Sequence, residues 1–436
     1  MKRRSSFALG FLALIAIGAA LLGSPAARVA GEWGDPVSAL FTAWSAVCVT
    51  GLTVVDIGSE YTVFGQIVLM ALVEIGCLGL MTYGTFLLIA IGRRLSLSRE
   101  FSLMNAYGVE QIQGLKGLVC WTVMSMLAVE AVAAVALYPA TKSWYDAVFY
   151  SIMSFCNAGF GIYPGSLSRY FSPYPILIMG FETILGGIGF LVLYNLCTYR
   201  FLNRSSGARG RISLHTRIVL RFTAYLLAIA FVAFVALEWN GSLSGMSAGK
   251  KLLAAFYQAI TPRTCGFAVV PTESLHPLTR LVYEFLMFIG GAPGSAAAGM
   301  KGTTLAVLVY TLCAMCRGES ETVIEKRTIS MAIVRESLVI FMAMVVFAAV
   351  ITGALFFTEA KSSIPSDALF FEAVSAITTT GLSVGGTTSS LSIPGRFVIM
   401  VAMFIGRLGA LTVVMMIGDR ESIRMIRYPH EELVVG

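Results

Sequence analysis

The stretch AITTTGLSVGG, Ala376 to Gly386, follows an apolar run near 337–357 and the phrase SDALFFEAVS. A second apolar run begins at about Pro394. Threonine and glycine between two membrane-grade segments read first as a surface loop. The rest of the chain argues for something else.

Of the 436 residues, 57% are hydrophobic and only 13% charged, and the mean hydropathy is +0.81. Ordinary soluble domains carry about 25% charged residues. Half that charge leaves too little polar surface for a water-soluble fold of this length, so composition specifies a polytopic membrane protein. The eight cysteines are scattered, mostly inside apolar runs, without the spacing of a disulfide framework or zinc site. The CxxC at Cys313 to Cys316 ends an apolar run and has no second pair. No cofactor is expected in the chain. The N-terminal MKRRSSFALGFLALIAIGAALLGSPAA fits a signal peptide as well as a retained helix; the repeat described below requires a retained span.

Stretches near 7–23, 63–91, 117–138, 174–200, 218–238, 278–316, 337–357 and 394–418 are long enough to cross a bilayer core of roughly 30 Å. That predicts an all-α protein of eight spans. Twenty of the 31 Lys and Arg lie in the two tails and the even-numbered connections, and nine in the odd ones. Lys301 and Arg407 fall at membrane depth. By the positive-inside rule both termini are cytoplasmic. The net charge of +7 is then mostly topological and gives no reason to expect nucleic-acid binding.

Each odd connection carries a shorter apolar piece: DPVSALFTAWSAVCV, SWYDAVFYSIMSFC, AGKKLLAAFYQAIT and SDALFFEAVSAITT. These are too short to span and suit re-entrant helices, with extracellular amphipathic helices as the alternative. Asp35 before Pro36, Ser143 and Ser366 are expected N-caps.

Every short piece ends in a similar phrase: VCVTGL (47–52), FCNAGF (155–160), RTCGF (263–267) and TTTGL (378–382). The aligned glycines Gly51, Gly159, Gly266 and Gly381 are spaced by 108, 107 and 115 residues. A second glycine follows in IGCLG, LGGIG, IGGAPG and IGRLG: Gly76, Gly186, Gly290 and Gly406, at offsets of 25, 27, 24 and 25. In a chain with 43 glycines one match means little; four pairs in register mean a fourfold repeat of span, re-entrant helix, phrase, span. Its units run 1–92, 93–203, 204–317 and 318–436.

Each unit has two full spans, so all four insert in parallel and can surround one axis along the membrane normal. Non-helical backbone at membrane depth is tolerated where it lines a cavity. Rings of backbone carbonyls replace the hydration shell of a cation, glycine permits the φ values this needs, and helix C-terminal ends favour positive charge. The candidate filter is therefore Val49, Thr50 and Gly51; Asn157, Ala158 and Gly159; Thr264, Cys265 and Gly266; and Thr379, Thr380 and Gly381.

These features resemble the TrkH/KtrB/HKT superfamily of potassium transporters, its KtrB branch most closely, over essentially the whole chain. The markers are SAVCVTGL, TPRTCGF (261–267), IGGAPGSAAAGMKGTT (289–304), MFIGRLGALT (403–412) and RYPHEELVVG at the C-terminal end. Glycine at all four filter positions implies potassium as the transported ion; some plant relatives with serine in the first repeat favour sodium. The resemblance also implies a homodimer in the cytoplasmic membrane with one pore per subunit, sodium as a possible co-ion, and a cytosolic KtrA-like ring that binds nucleotide. No such nucleotide-binding domain is read in this chain.

The sixth span is interrupted by GGAPGSAAAGMKG, whose glycines and proline cannot hold a regular helix. Met300 between Gly299 and Lys301 argues against a Walker motif. By the resemblance this segment is a gating loop: Gly290, Gly291, Ala292, Pro293, Gly294, Ser295, Gly299, Lys301 and Gly302. Arg407 would be a pore-facing charge that contacts it. The alternatives are a structural pair of Arg407 with Glu74, Glu182 or Glu284, and a Lys301 that snorkels to the cytoplasmic side. Glu372 is expected to support the filter from behind, and Glu130 to play a supporting part. Arg200, Arg204, Arg209, Arg211, Arg217 and Arg221 form a basic cytoplasmic belt, facing lipid headgroups or, by the resemblance, the regulatory ring.

Two other classes compete. An alternating-access carrier would need polar groups at midplane on broken spans, and only the sixth span reads as broken. An intramembrane enzyme would need paired carboxylates, HExxH or a Ser/His arrangement; none is found, and His215, His276 and His430 lie outside the predicted spans.

Overall fold

The computed structural model describes residues 2–79, 82, 115–165, 167–202 and 212–417. Arg204, Arg209, Arg211, His430, the RYPHEELVVG tail and the expected boundaries at 92/93 and 203/204 lie outside these residues.

The described chain is dominated by helices. The first quarter forms α1 (Lys2–Gly23), α2 (Pro36–Cys48) and α3 (Val63–Leu78). The second forms α4 (Leu115–Thr141), α5 (Trp144–Phe155), α6 (Pro173–Ile188) and α7 (Phe190–Leu202). The third forms α8 (Leu214–Glu238), α9 (Ala248–Ile260), α10 (Pro277–Phe288) and α11 (Gly302–Cys316). The fourth forms α12 (Met331–Thr358), α13 (Ser366–Ile377), α14 (Ile393–Leu408) and α15 (Ala410–Ile417). Among these residues Gly117–Thr141, Leu214–Glu238 and Met331–Thr358 are each long and apolar enough to cross a membrane alone.

Local chemistry sets the helix starts. Asp35 caps α2 by accepting from Val37 N (3.4 Å) and Ser38 N (3.0 Å), and Pro36 needs no donor partner there. Ser143 caps α5 through Asp146 N at 3.3 Å. The fourth short helix departs from expectation: Pro365 occupies its N-cap and Ser366 is already helical, because proline's fixed φ suits the entry and leaves no hydroxyl cap.

Packing is cyclic. In each quarter the long first helix lies against the short one that follows: α1 on α2, α4 on α5, α8 on α9 and α12 on α13. The next helix then packs on the short helix of the following quarter: α3 on α5, α6 on α9 and α10 on α13. Finally α14 packs on α2, which joins the last quarter to the first. The short helices occupy the centre, with Phe41, Ala43, Phe149, Tyr257 and Val374 fully buried.

The second helices are less regular than their sequence predicts. The expected continuous span 174–200 bends by 95° at Gly189 between α6 and α7. The last span breaks at Gly409, and α3 ends at Gly79. These three glycines have φ of +98°, +84° and +79° with ψ of 142°, 138° and 139°, an extended conformation at positive φ that glycine readily adopts and that ends the helix. The reading that only the sixth span is broken is therefore corrected: among the described residues the second helices of the second and fourth quarters break as well, and α3 ends at the matching Gly79.

Candidate ion-coordinating site

Each glycine phrase begins where a short helix ends. In three quarters the end is a Schellman motif. Val49 N donates to Ala46 O (3.0 Å) and Thr50 N to Ser45 O (2.8 Å). Asn157 N and Ala158 N reach Ser154 O and Met153 O, and Thr379 N and Thr380 N reach Ala376 O and Ser375 O. The third quarter differs, with Cys265 N on Thr261 O.

Helices usually put glycine at such a left-handed position. Here it holds Val49 (φ +56°), Asn157 (+57°), Thr264 (+66°) and Thr379 (+50°), and glycine comes two residues later. Left-handed backbone at a β-branched residue is strained. Gly51, Gly159, Gly266 and Gly381 then have φ of +88°, +68°, +78° and +86°. Two left-handed residues flank one of negative φ in every phrase.

The four phrases touch in a closed ring. A Cβ built on Gly51 would lie 2.1 Å from Ala158 O, and one on Gly159 would lie 2.9 Å from Cys265 O. On Gly266 it would meet Thr380 O at 2.6 Å, and on Gly381 Thr50 O at 1.9 Å. The carbonyl preceding each glycine thus abuts the glycine of a neighbouring phrase, and no side chain fits. Of the twelve residues expected at the filter, the four glycines and the Thr50, Ala158, Cys265 and Thr380 that precede them make these contacts, and Val49, Asn157, Thr264 and Thr379 are the residues just before those in the chain. The C-terminal ends of α2, α5, α9 and α13 adjoin it, so their partial negative charges converge there. On one side Leu52–Ile57, Gly161, Tyr163, Ser383 and Thr388 surround a vestibule of about 520 Å³.

The second set of glycines supports the ring. A Cβ on Gly76, Gly186 or Gly406 would collide with Val47 O, Phe155 O or Ile377 O, at 2.2, 1.9 and 2.0 Å. Each of these carbonyls lies four residues before its ring glycine. Gly290 breaks the pattern: its space is taken by Ala298 O, 1.9 Å from its virtual Cβ.

Ala298 belongs to the segment between α10 and α11, which is non-helical as its glycines and proline predict. Gly290 N donates to Met300 O (2.9 Å) and Gly302 N to Gly291 O (3.1 Å), which closes the segment on itself. Ala292 N and Ala296 N donate to Gly187 O and Gly186 O, and Phe190 N to Gly294 O. Ser295 Oγ donates to Ala292 O at 2.7 Å, and Pro293 O lies 2.9 Å from a virtual Cβ on Gly189. Lys301 does not snorkel away; its Nζ donates to Ala297 O at 2.6 Å.

Arg407, on α14, donates to Ala296 O (2.7 Å), Cys77 O (2.8 Å) and Gly76 O. It forms no ion pair with Glu74, Glu182 or Glu284, so the structural-pair alternative is not what the structure contains. The guanidinium instead joins the segment to the last turn of α3. Glu182 accepts from Ser151 Oγ (2.6 Å), and Glu130 accepts a contact from Cys156 Sγ (3.7 Å). In the basic belt, Arg217 and Arg221 pair with Glu325 on the hairpin Val323–Thr328. His276 is the N-cap of α10, whereas His215 lies in the first turn of α8, inside a span-length helix rather than outside one. Among the described residues no group of three or more His, Cys, Asp or Glu is placed to hold a metal.

Sequence reasoning missed the left-handed Val49, Asn157, Thr264 and Thr379, which no residue type announces. It also missed the hinges Gly79, Gly189 and Gly409, although IGCLG, LGGIG and IGRLG contain them three residues after the glycine that was aligned.

A ring of backbone carbonyls inside a bundle of apolar helices is an arrangement suited to a membrane transport protein. The chain matches the TrkH family, described as cation transport protein, over residues 12–422. It is 36% identical over 440 residues to the Ktr system potassium uptake protein B of Bacillus subtilis, covering 98% of this chain and 96% of that one. Identity to the Vibrio alginolyticus protein of the same name is 34% over 443 residues, with 98% and 94% covered. Identity to the potassium/sodium uptake protein NtpJ of Enterococcus hirae is 32% over 444 residues, with 98% and 96% covered. The crystal structure of the potassium transporter TrkH from Vibrio parahaemolyticus superposes with a TM-score of 0.74 at 18% identity, over 94% of this chain and 84% of that one. The chain belongs to the TrkH family of cation transport proteins.

Proposed function

We propose that this chain is the potassium-translocating subunit of a Ktr-type uptake system in the cytoplasmic membrane. The observation that carries this reading is the closed ring in which Gly51, Gly159, Gly266 and Gly381 each abut a neighbouring carbonyl. A dehydrated cation suits such a ring, because carbonyl oxygens replace its water and converging helix ends favour its charge. The names of the Bacillus and Vibrio relatives support potassium as that cation.

In this reading the four units 1–92, 93–203, 204–317 and 318–436 are parallel repeats, with eight spans and both termini cytoplasmic. Ions pass the ring and then the 290–302 segment, which Arg407 holds across the path. Regulation comes from a cytosolic nucleotide-binding ring, and two copies of the chain form the transporter; the designation of the relatives as a Ktr system supports the regulatory subunit.

A sodium-permeable variant of the same mechanism is the second reading, favoured by the likeness to a potassium/sodium uptake protein. The decisive test is the reversal potential of the purified chain in liposomes under opposed potassium and sodium gradients. A clear potassium preference upholds the first reading, and equal permeability upholds the second. No flux at all, even with Ala292–Gly299 deleted, returns the question to an alternating-access carrier, which the recurring helix breaks no longer argue against.

A further inference from the structure

The segments leaving the ring are tied back to the short helices by different chemistry in different quarters. Asp146 accepts from Tyr163 OH (2.8 Å) and Tyr170 OH (2.6 Å). Gln258 Nε2 donates to Val270 O at 3.3 Å. In the fourth quarter the tie is Glu372, nine residues before Gly381, where the other quarters hold Thr42, Tyr150 and Tyr257.

Glu372 is 0% exposed. Thr388 donates its hydroxyl to Glu372 Oε1, and the Ser383 hydroxyl faces the same carboxylate. Thr388 Oγ1 also lies 3.2 Å from Ser383 Oγ. Ser383 and Thr388 both line the vestibule outside the ring. The inner end of the same phrase is fixed separately, by Thr379 N and Thr380 N on the last turn of α13. The phrase therefore hangs between two anchors on one helix, and the outer anchor is a buried carboxylate. Burying an ionisable group at that depth is costly unless it has a task.

We propose that Glu372 is a positioning residue: through Thr388 and Ser383 it fixes the outer exit of the fourth phrase and so sets how strictly the ring separates potassium from sodium. This rests on reading the ring as a potassium filter. The carboxylate acts through the hydrogen bond it accepts; it does not meet the ion. Loosening this tie lets the Thr380 carbonyl move relative to Gly266, its neighbour in the ring.

The test is the potassium-to-sodium permeability ratio of full-length protein in liposomes. Thr388→Ser and Glu372→Gln keep the hydroxyl and an acceptor and are expected to hold the parent's ratio. Thr388→Val and Glu372→Ala are expected to lower it about tenfold, the scale of losing one buried hydrogen bond. Parent-like ratios in Thr388→Val and Glu372→Ala overturn the proposal. So does a drop in Glu372→Gln matching Glu372→Ala while Thr388→Val stays unchanged, which makes direct charge attraction the cause. If Glu372→Ala does not fold, the two Thr388 variants decide alone. A parent that does not discriminate brings down the filter reading itself, whereas a selective parent with unchanged variants removes only this role.

Discussion

Gly381 and Thr50, 331 residues apart in the chain, meet in the fold. A Cβ on Gly381 would sit 1.9 Å from the Thr50 carbonyl oxygen, closer than any real contact. The last phrase therefore closes on the first only because position 381 has no side chain.

Gly381→Ser is expected to break that closure. Left-handed backbone alone costs a substituted residue roughly 1–2 kcal/mol, and the Thr50 carbonyl must also move. Potassium preference should fall by about tenfold or more while the protein stays in the membrane. Reversal potentials measure it, and an unchanged ratio would remove the ring from the selective step.

Arg407→Ala should raise flux. The guanidinium donates to Ala296, Cys77 and Gly76 carbonyls, so its loss frees the 290–302 segment on one side. One charge-assisted bond is worth roughly 1.5 kcal/mol or more, which sets an expected gain of about tenfold. Isotope uptake into liposomes reads it. A well-folded variant with equal or lower flux counts against a gating role.

Gly406→Val and Gly353→Ala make a matched pair for stability. The first forces a side chain toward Ile377 O, 2.0 Å from the virtual Cβ, whereas the second enters open space on α12. Overpacking of that kind costs roughly 1–3 kcal/mol, so the midpoint of thermal unfolding should fall in Gly406→Val. Gly353→Ala should match the parent or exceed it, because alanine favours a helix interior.

Asp35→Ala should lower stability by roughly 1 kcal/mol through loss of the α2 cap. The Ser38 hydroxyl, with the Ser38 and Val37 N–H groups, holds the Asp35 carboxyl below its usual range against the opposing effect of partial burial. A depressed native pKa means the stabilisation is fully present above the ordinary carboxylate value of about 3.9 and fades as pH falls through the native one. The gap between parent and variant should therefore close in acid, and unfolding curves at several pH values would reveal a gap that does not.

The readable parts of this protein were those where backbone geometry leaves one residue type. Gly51, Gly159, Gly266 and Gly381 tolerate no Cβ, so they stand out as a register in the sequence. Gly76, Gly186 and Gly406 follow for the same steric reason. Thr379 and Val49 could not be found that way, because their strain is imposed by neighbouring structure and not by residue type. The bend at Gly189 was hidden because an apolar run reads the same whether straight or folded by 95°. Ser366 misled for a simpler reason: Pro365 beside it competes for the same cap. Arg407 was legible as a charge in an apolar run, but its partners, all backbone carbonyls, carry no mark in the sequence.

The contact between Thr50 and Gly381 also bears on how the protein is made. A ribosome delivers residue 50 long before residue 381, so the contact that closes the ring cannot form until the fourth phrase has been made. A chain cut short before the fourth phrase lacks the closing contact. Completion of the ring thus waits for the last quarter of the polypeptide.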